Sequence, residues 1–164
     1  MIRGMTAQDH PRVAEIHVFC QRKAYRGFVP DEFLFGKMNV ATRLEYLATT
    51  MLGESMKAFV FEGDSIVKAF TIMGPCEDDD NLNAYELFRI FVDPFMQGGG
   101  IGYKLAAHFE KTAAELGYKN ICLWALEGNT SAADFYKKLG YHKDGAKRIS
   151  GYFDVPEIRF AKRV

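Results

Sequence analysis

The chain has 164 residues, of which 21 are basic and 21 acidic, so it lacks the excess positive charge of a nucleic-acid-binding protein. A hydrophobic fraction of 48% is ordinary for a globular protein, and the length predicts one domain over residues 1–164. The three cysteines, Cys20, Cys76 and Cys122, form neither an even disulfide set nor a paired zinc motif.

The sequence shows no segment that would direct it out of the cytoplasm. Residues 1–6 lack the apolar core of a signal peptide, and no stretch approaches the ~20 apolar residues that span a bilayer. We therefore expect a cytoplasmic protein whose partners include neither a membrane nor a nucleic acid. Cys20 and Cys122 lie within apolar patterns, which favours buried thiols.

Helical periodicity comes first along the chain. A helix is predicted from the segment Thr6–Asp9, both ends of which are suitable N-caps, because Val13 and Ile16 recur at helical spacing. The pattern loosens between residues 22 and 37, where glycines and a proline separate several aromatic residues. A second helix is predicted over Ala41–Leu52.

The period then changes to that of β-strands. A turn at Gly63–Asp64 joins the first two of them into a hairpin. The acidic run Glu77–Asp80 precedes the third and is interpreted as a solvated loop. The three strands are predicted over Met56–Phe61, Ser65–Met73 and Asn83–Val92.

The second half of the chain alternates between helices and strands. Helices are predicted over Gly100–Leu116 and Asn129–Leu139, each followed by a glycine suited to the C-terminal end. Strands are predicted over Asn120–Leu126, Tyr141–Ile149 and Glu157–Arg163. With a strand before the first helix, the whole order is β-α-α-β-β-β-α-β-α-β-β. It predicts a single-domain α/β (α+β) fold, with a mixed, mostly antiparallel sheet and helices on both faces.

The run Gln97-Gly98-Gly99-Gly100-Ile101-Gly102 lies between a predicted strand and a predicted helix. Glycines at a helix N-terminus expose backbone N–H groups, which suits a phosphate-bearing ligand. A Walker A loop is excluded, because Lys104 is followed by Leu105 instead of Ser or Thr. A dinucleotide fingerprint is excluded too, because its third small residue is missing.

The remaining pattern, Gln97-x-x-Gly100-x-Gly102, resembles the pyrophosphate-binding signature of the GNAT acetyltransferase superfamily. The segment Asn129–Tyr141 resembles that superfamily's other hallmark, and Leu123–Glu127 before it is also typical. In similar proteins the positions of Gly98 and Gly99 often carry charged or bulky side chains. This loop therefore leaves more of the phosphate binding to backbone N–H groups.

The resemblance implies acetyl-CoA as donor and no metal. In such enzymes the strand ending at Val92 splays from the strand starting near Asn120, and pantetheine runs between the two. The glycine-rich loop would wrap the pyrophosphate, and Asn129 would both cap its helix and bind the cofactor. The residues that the resemblance assigns to the cofactor are Ile90, Phe91, Val92, Gln97, Gly98, Gly99, Gly100, Ile101, Gly102, Tyr103, Asn129 and Tyr136.

Two catalytic residues are implied by the same resemblance. Tyr136 matches a tyrosine that gives a proton to the departing thiolate, and a phenol with a pKa of ~10 holds that proton at neutral pH. Glu86 matches a position that is often acidic and is the candidate base; an exposed structural carboxylate is the equal alternative. Glu127 is a weaker candidate. The four histidines have no metal-binding spacing, and His108 is expected at the surface.

The predicted function is transfer of an acetyl group to a primary amine of a small molecule, amino acid, peptide or protein, by direct attack in a ternary complex. A non-catalytic CoA-binding regulatory module on the same fold is the alternative. Tyr25, Arg26, Phe28 and Phe33 occupy a region that forms part of the acceptor cleft in similar proteins. Homodimers formed through the C-terminal strands are common among such proteins, so the resemblance makes a homodimer one possible assembly of this chain. No residue in the sequence identifies the acceptor.

Overall fold

The computed structural model describes residues 1–51, 53 and 55–164, without the side chains of residues 50 and 51. Within these residues, the α-helices are α1 (His10–Tyr25), α2 (Val40–Tyr46), α3 (Ile101–Glu115) and α4 (Thr130–Lys138). The strands are β1 (Ile2–Gly4), β2 (Lys57–Gly63), β3 (Ile66–Pro75), β4 (Ala84–Val92), β5 (Asn120–Leu126), β6 (His142–Ile149) and β7 (Pro156–Arg163). This order of elements confirms the predicted one.

The strands of the described part of the chain form one sheet in the order β1-β2-β3-β4-β5-β7-β6. The pair β4–β5 is parallel, because α3 carries the chain back across the sheet between them. The other pairs are antiparallel. The predicted mixed, mostly antiparallel sheet is therefore confirmed.

Helices cover both faces of the sheet, as predicted. On one face, Val13 and Ile16 of α1 pack with Phe70 and Ile72 of β3. On the other face, Phe109 of α3 and Tyr136 of α4 share a larger core with the strands. Each helix buries its apolar stripe against the sheet, which keeps the ends of the strands in fixed positions. In the described part of the chain, no helix is both long and apolar enough to cross a bilayer.

The early helical region differs from the prediction. Helix α1 continues to Tyr25, into residues 22–37, where the sequence pattern is irregular. Within the same stretch, a short π-helical segment spans Glu32–Lys37. The predicted helix over Ala41–Leu52 divides into α2 and a second π-helical segment, Leu47–Met51. Its last residue, Leu52, lies outside the described residues. Tertiary packing here overrides local glycine and proline signals.

The acidic run Glu77–Asp80 is not simply the solvated loop that the sequence suggested. Asp78 accepts hydrogen bonds from Trp124 Nε1 at 2.9 Å and from Arg159 Nη1 at 3.0 Å. Asp80 also binds Arg159, at 2.7 Å. Because Arg159 is buried, these carboxylates compensate a charge that would otherwise be desolvated without a partner. The run thus anchors a loop to β7.

Strands β4 and β5 separate after a short paired stretch. They are hydrogen-bonded only over Ala84–Glu86 and Asn120–Cys122, at the beginning of each strand. A register shift against β3 also falls between Ile72 and Met73, opposite Phe88 of β4. The rest of β4 therefore stays bonded to β3 but turns an unpaired edge toward β5. This is the splayed pair that the family resemblance implied.

Candidate active site

A cleft of about 530 Å³, here called the first cleft, opens where β4 and β5 separate. One wall is the end of β4 at Ile90–Val92, and the opposite wall is the start of α4. The glycine-rich loop closes one end. Of the residues that the sequence assigned to the cofactor, the structure places these around the cleft: Ile90, Phe91, Val92, Gln97, Gly98, Gly100, Ile101, Gly102, Tyr103, Asn129 and Tyr136.

The loop presents backbone donors to the first cleft. Gly100 is the N-cap of α3 and has a left-handed conformation, with φ of 72°, which a glycine adopts without steric cost. The Lys104 N–H donates to the Gly100 carbonyl at 3.1 Å and begins the hydrogen bonding of the helix. The amides of residues 101–103 precede that bond and have no partner within the helix. The helix dipole adds partial positive charge at the same place.

Gln97 connects the loop to its surroundings. Its Nε2 donates to the Val92 carbonyl at 3.1 Å, and its Oε1 accepts a hydrogen bond from Lys23 Nζ at 2.9 Å. Lys23, on α1, also lines the first cleft. Lys23 therefore brings a positive charge to a loop that has no basic residue. The sequence did not predict this contribution, because 74 residues separate Lys23 from Gln97.

The end of β4 is held in position by polar contacts. The buried Asp93 accepts the Phe95 N–H at 2.8 Å and pairs with Arg12, which fixes the turn into the loop. Cys20 donates its thiol to the Val92 carbonyl at 3.2 Å. Burial raises the pKa of Cys20 to about 12, so this cleft-lining thiol stays protonated and is a poor nucleophile.

A second cleft of about 210 Å³ lies along the earlier part of β4, at Leu87–Phe91. Its polar lining comes from α1, α2, β4 and the C-terminal strands, and includes Gln21, Arg43, Arg89, Ser150 and Glu157. The two clefts share five lining residues: Ile90, Phe91, Asn129, Ala132 and Tyr136. The two clefts therefore adjoin at these residues of β4, the start of α4 and the residue that caps it.

Tyr136 lies at this junction. Its side chain is 9% exposed and packs against Phe135, Tyr141 and Phe160. Burial raises the pKa of its phenol above the ordinary value of 10, so the hydroxyl keeps its proton at neutral pH. Its neighbour Phe135 packs near Gly102, which agrees with an apolar supporting role.

Asn129 caps α4, as predicted. Its Oδ1 accepts the Ala132 N–H at 3.2 Å. It also lines both clefts. The cap is therefore observed, and binding to a cofactor stays a prediction.

Glu86 is not the exposed carboxylate that was one of its two interpretations. It is 5% exposed, and burial, followed by the negative charge of Asp78, raises its pKa to about 7. It lines neither cleft but lies beside Cys76 and Cys122. The structure thus does not bring Glu86 and Tyr136 into one cleft. Two nearby residues do line the second cleft: Phe88, two residues after Glu86 on β4, and Trp124 on the neighbouring strand β5.

Cys76 and Cys122 are 46 residues apart in the sequence but lie in contact, with 3.5 Å between their sulfur atoms. With Glu86 they place possible metal-ligand atoms within 4.8 Å of one another. Burial raises the pKa of Cys76 to about 11 and that of Cys122 further. The neutral forms are favoured, and protonated thiols are poor metal ligands.

Other polar candidates have different positions from those expected. His108 is half-buried against the ring of Phe59 instead of lying at the surface, and burial lowers its pKa. Glu127, the weaker base candidate, pairs with Lys147 at 3.1 Å and lines neither cleft. Of the aromatic residues expected at the acceptor, Tyr25 lines the second cleft, whereas Phe33 packs on Tyr152 and Phe153.

Two clefts adjoin where the strand pair splays, and one of them ends at the free amides of the glycine-rich loop. The family model described as acetyltransferase (GNAT) family matches residues 38–141. The chain belongs to this family, and its class is that of an acetyltransferase.

Individual proteins agree with this assignment. An uncharacterised N-acetyltransferase of Methanocaldococcus jannaschii is 30% identical over 99% of this chain and 66% of its own length. A probable spermine N(1)-acetyltransferase of Bacillus subtilis subsp. natto is 33% identical over 56% of this chain and 61% of its own length. The chain therefore spans about two thirds or less of the length of these relatives.

Solved structures share the fold. The PaiA N-acetyltransferase of Thermoplasma acidophilum, whose crystal structure contains coenzyme A, superposes with a TM-score of 0.77. It is 18% identical, and the superposition covers 100% of this chain and 98% of that one. At this identity the likeness establishes the fold, including the sheet whose strands form the first cleft.

Proposed function

We propose that this chain transfers the acetyl group of acetyl-CoA to a primary amine. The observation that carries the proposal is the meeting of the two clefts at Tyr136. The first cleft contains the glycine-rich loop, whose free amides suit a pyrophosphate, and the unpaired edge of β4, which suits a pantetheine arm. The second cleft gives an acceptor access to the same point.

In this proposal, the amides at Gly98–Tyr103 bind the pyrophosphate and Lys23 adds a nearby charge. Pantetheine lies along the unpaired edge of β4 at Ile90–Val92, and Asn129 faces it from α4. The Val92 carbonyl already accepts from Gln97 and Cys20, so Ile90 and Phe91 supply most of the free backbone groups. Coenzyme A in the Thermoplasma relative supports this choice of donor.

The reaction is a direct attack. The amine nitrogen bonds to the thioester carbonyl carbon, and a β4 N–H stabilises the oxyanion that forms. The carbon–sulfur bond then breaks, and the departing thiolate takes the phenolic proton of Tyr136, which solvent replaces. The high pKa of Cys20 argues against an acetyl-enzyme on that thiol.

The attacking amine must also lose a proton. We assign this role to Glu86, because a carboxyl with a pKa of about 7 is well matched to accept a proton near neutral pH. Since Glu86 lines neither cleft, the transfer requires a bridging water past Phe88 or Trp124. Direct release of the proton to solvent water is the competing route.

The proposal is tested by adding acetyl-CoA and then a panel of amines. At about 100 times its Kd, acetyl-CoA should stabilise the protein by about 2.7 kcal/mol and raise the Tm. Amines from the panel should then release CoA thiol in proportion to acetylated product. Absence of any Tm shift at millimolar acetyl-CoA would refute the donor. A Tm shift without thiol release from any amine would identify a CoA-binding module instead.

Replacing Lys23 by methionine should weaken acetyl-CoA binding by about 3- to 5-fold at low salt, because an exposed charge contributes up to ~1 kcal/mol. The loss should shrink as salt screens the phosphate charge. The measurement is the Kd by calorimetry. Lys111→Met is the matched control, since Lys111 is an exposed lysine on α3 outside both clefts. Equal Kd values for the two variants would remove Lys23 from the binding site.

A further inference from the structure

Arg43 is a buried cation in the wall of the second cleft. The residue is 5% exposed and lies on α2. Its guanidinium stacks near the rings of Tyr152 and Tyr46, at 4.9 and 5.6 Å from their centroids. One nitrogen donates to Gln21 Oε1 at 3.2 Å. The Nε atom is buried and finds no hydrogen-bond partner among the described residues.

A second arginine lines the same cleft. Arg89 of β4 donates from Nη1 to the carbonyl of Phe88 at 2.6 Å, and its buried Nε also has no partner in the described part of the chain. Burial lowers the pKa of Arg43, and the positive charge of Arg89 lowers it further. An arginine nevertheless keeps its proton in proteins. The cleft therefore holds two charges that repel each other.

The carboxylate in this cleft is already engaged. Glu157 accepts a hydrogen bond from Arg148 Nε at 2.8 Å. Over residues 1–51, 53 and 55–164, no carboxylate forms an ion pair with Arg43 or Arg89. A buried guanidinium without a counter-ion is unfavourable unless a bound anion compensates it. The fork of N–H donors on Arg43 matches a carboxylate in particular.

We propose that the acceptor is a small primary amine that also carries a carboxylate, as an amino acid does, and that Arg43 and Arg89 bind this carboxylate in the second cleft. This inference rests on the proposed acetyl transfer and names its substrate class. Tyr136 also lines this cleft. An acceptor anchored by its carboxylate can therefore direct its amine toward Tyr136, where the two clefts adjoin. A volume of about 210 Å³ fits a molecule smaller than the ~300 Å³ of common ligand sites.

The inference separates this chain from its relative named as a probable spermine N(1)-acetyltransferase. A polyamine is a polycation, and its recognition calls for carboxylates in the acceptor cleft. Here two arginines face one glutamate that is already paired. Charge alone therefore favours an acceptor with a negative group over a polyamine.

The test compares acceptors that carry different charges, and the amino acid and its carboxamide are nearly the same size. Thiol release from acetyl-CoA is measured with the common amino acids, with their carboxamides, with spermidine and with O-phosphoethanolamine. We expect the best amino acid to exceed its own carboxamide by about 10- to 100-fold in kcat/KM, because hydrogen bonds to charged groups are strong. Equal rates for acid and carboxamide would overturn the inference, as would faster turnover of spermidine or of the phosphate-bearing amine.

Variants of Arg43 give the second arm. Arg43→Gln should raise the KM for the amino acid by about 10- to 100-fold, with little change in kcat or in the KM for the carboxamide, and Arg43→Lys should recover part of the loss. Arg163→Gln, at the exposed end of β7, is the control for removing one positive charge. An unchanged KM in Arg43→Gln, with its Tm and acetyl-CoA affinity intact, would contradict the assignment.

Failure of the proposed function has a different signature from failure of this inference. If no amine of any charge releases thiol, acetyl transfer itself is refuted. If neutral or cationic amines are acetylated efficiently, and the Arg43 variants do not alter the preference, the transferase stands and only the carboxylate assignment falls. The comparison of wild-type rates for acid and carboxamide needs no variant, so it holds even if Arg43→Gln folds poorly.

Discussion

Replacing Tyr136 by phenylalanine is expected to lower kcat by about 10²- to 10⁴-fold, the range typical of a positioned proton donor. The phenol lies at the junction of the clefts, and burial keeps it protonated. The ring itself fills a core position, which phenylalanine preserves. Binding of acetyl-CoA should therefore stay near normal while the chemical step slows. Single-turnover kinetics would separate the two effects.

Tyr141→Phe is the matched control. Tyr141 packs against Tyr136, and its buried hydroxyl has no hydrogen-bond partner among the described residues. It lines neither cleft, so its loss should leave kcat unchanged and affect stability only slightly. If both variants slow turnover equally, packing around α4 would explain the effect. Unchanged turnover in Tyr136→Phe would remove the phenol from catalysis.

Glu86→Gln is expected to alter both activity and stability. The base must be ionised to accept a proton, so wild-type kcat/KM should fall as the pH drops below about 7, the pKa of Glu86. In the variant, activity at pH 8 should drop by about 10²-fold, and the acid limb near pH 7 should disappear. The measurement is a pH–rate profile under saturating acetyl-CoA.

Glu86→Gln should lower activity but raise the stability of the fold at alkaline pH. The pKa of Glu86 rises from 4.5 to about 7 on folding, so the folded state binds its proton more tightly than the unfolded chain. This stabilisation is complete below about pH 4.5 and is lost as the pH rises through about 7. The ionised form then destabilises the fold by about 3 kcal/mol, from ~1.4 kcal/mol per pKa unit. Glu86→Gln should therefore have the higher Tm at pH 8.

Glu157→Gln is the control for the pH–rate profile. Glu157 lines the second cleft directly and is paired with Arg148. If the acid limb persists in Glu86→Gln and vanishes in Glu157→Gln, the base is Glu157. If it persists in both variants, the proton leaves through solvent water. Either result would overturn the assignment of Glu86 while leaving acetyl transfer intact.

Features encoded locally could be predicted from the sequence. The glycine-rich loop, the strand before it and the helix after it depend on neighbouring residues, and their boundaries agree within one or two positions with β4 and α3. The Asn129 cap is equally local. These elements build the first cleft, which is why much of its lining could be predicted from the sequence.

The second cleft depends on contacts between distant residues. Arg43 and Glu157 meet in one cleft only because α2 and β7 converge on β4. The pairing of Asp78 with Arg159 spans 81 residues, so the acidic run gave no sign of it. The position of Glu86 made it a candidate base, and that role stays a prediction. Neither its burial nor its separation from Tyr136 follows from strand alternation, which the register shift at β4 interrupts.

The most direct measurement of the central claim follows the acetyl group itself. The protein is incubated with acetyl-labelled acetyl-CoA, first alone and then with an amine that it accepts. Direct transfer predicts no label on the protein and no thiol release until the amine is added. Labelled amine and free CoA should then appear in equal amounts. Label retained on the protein, or thiol release that does not depend on the amine, would contradict transfer at the junction of the two clefts.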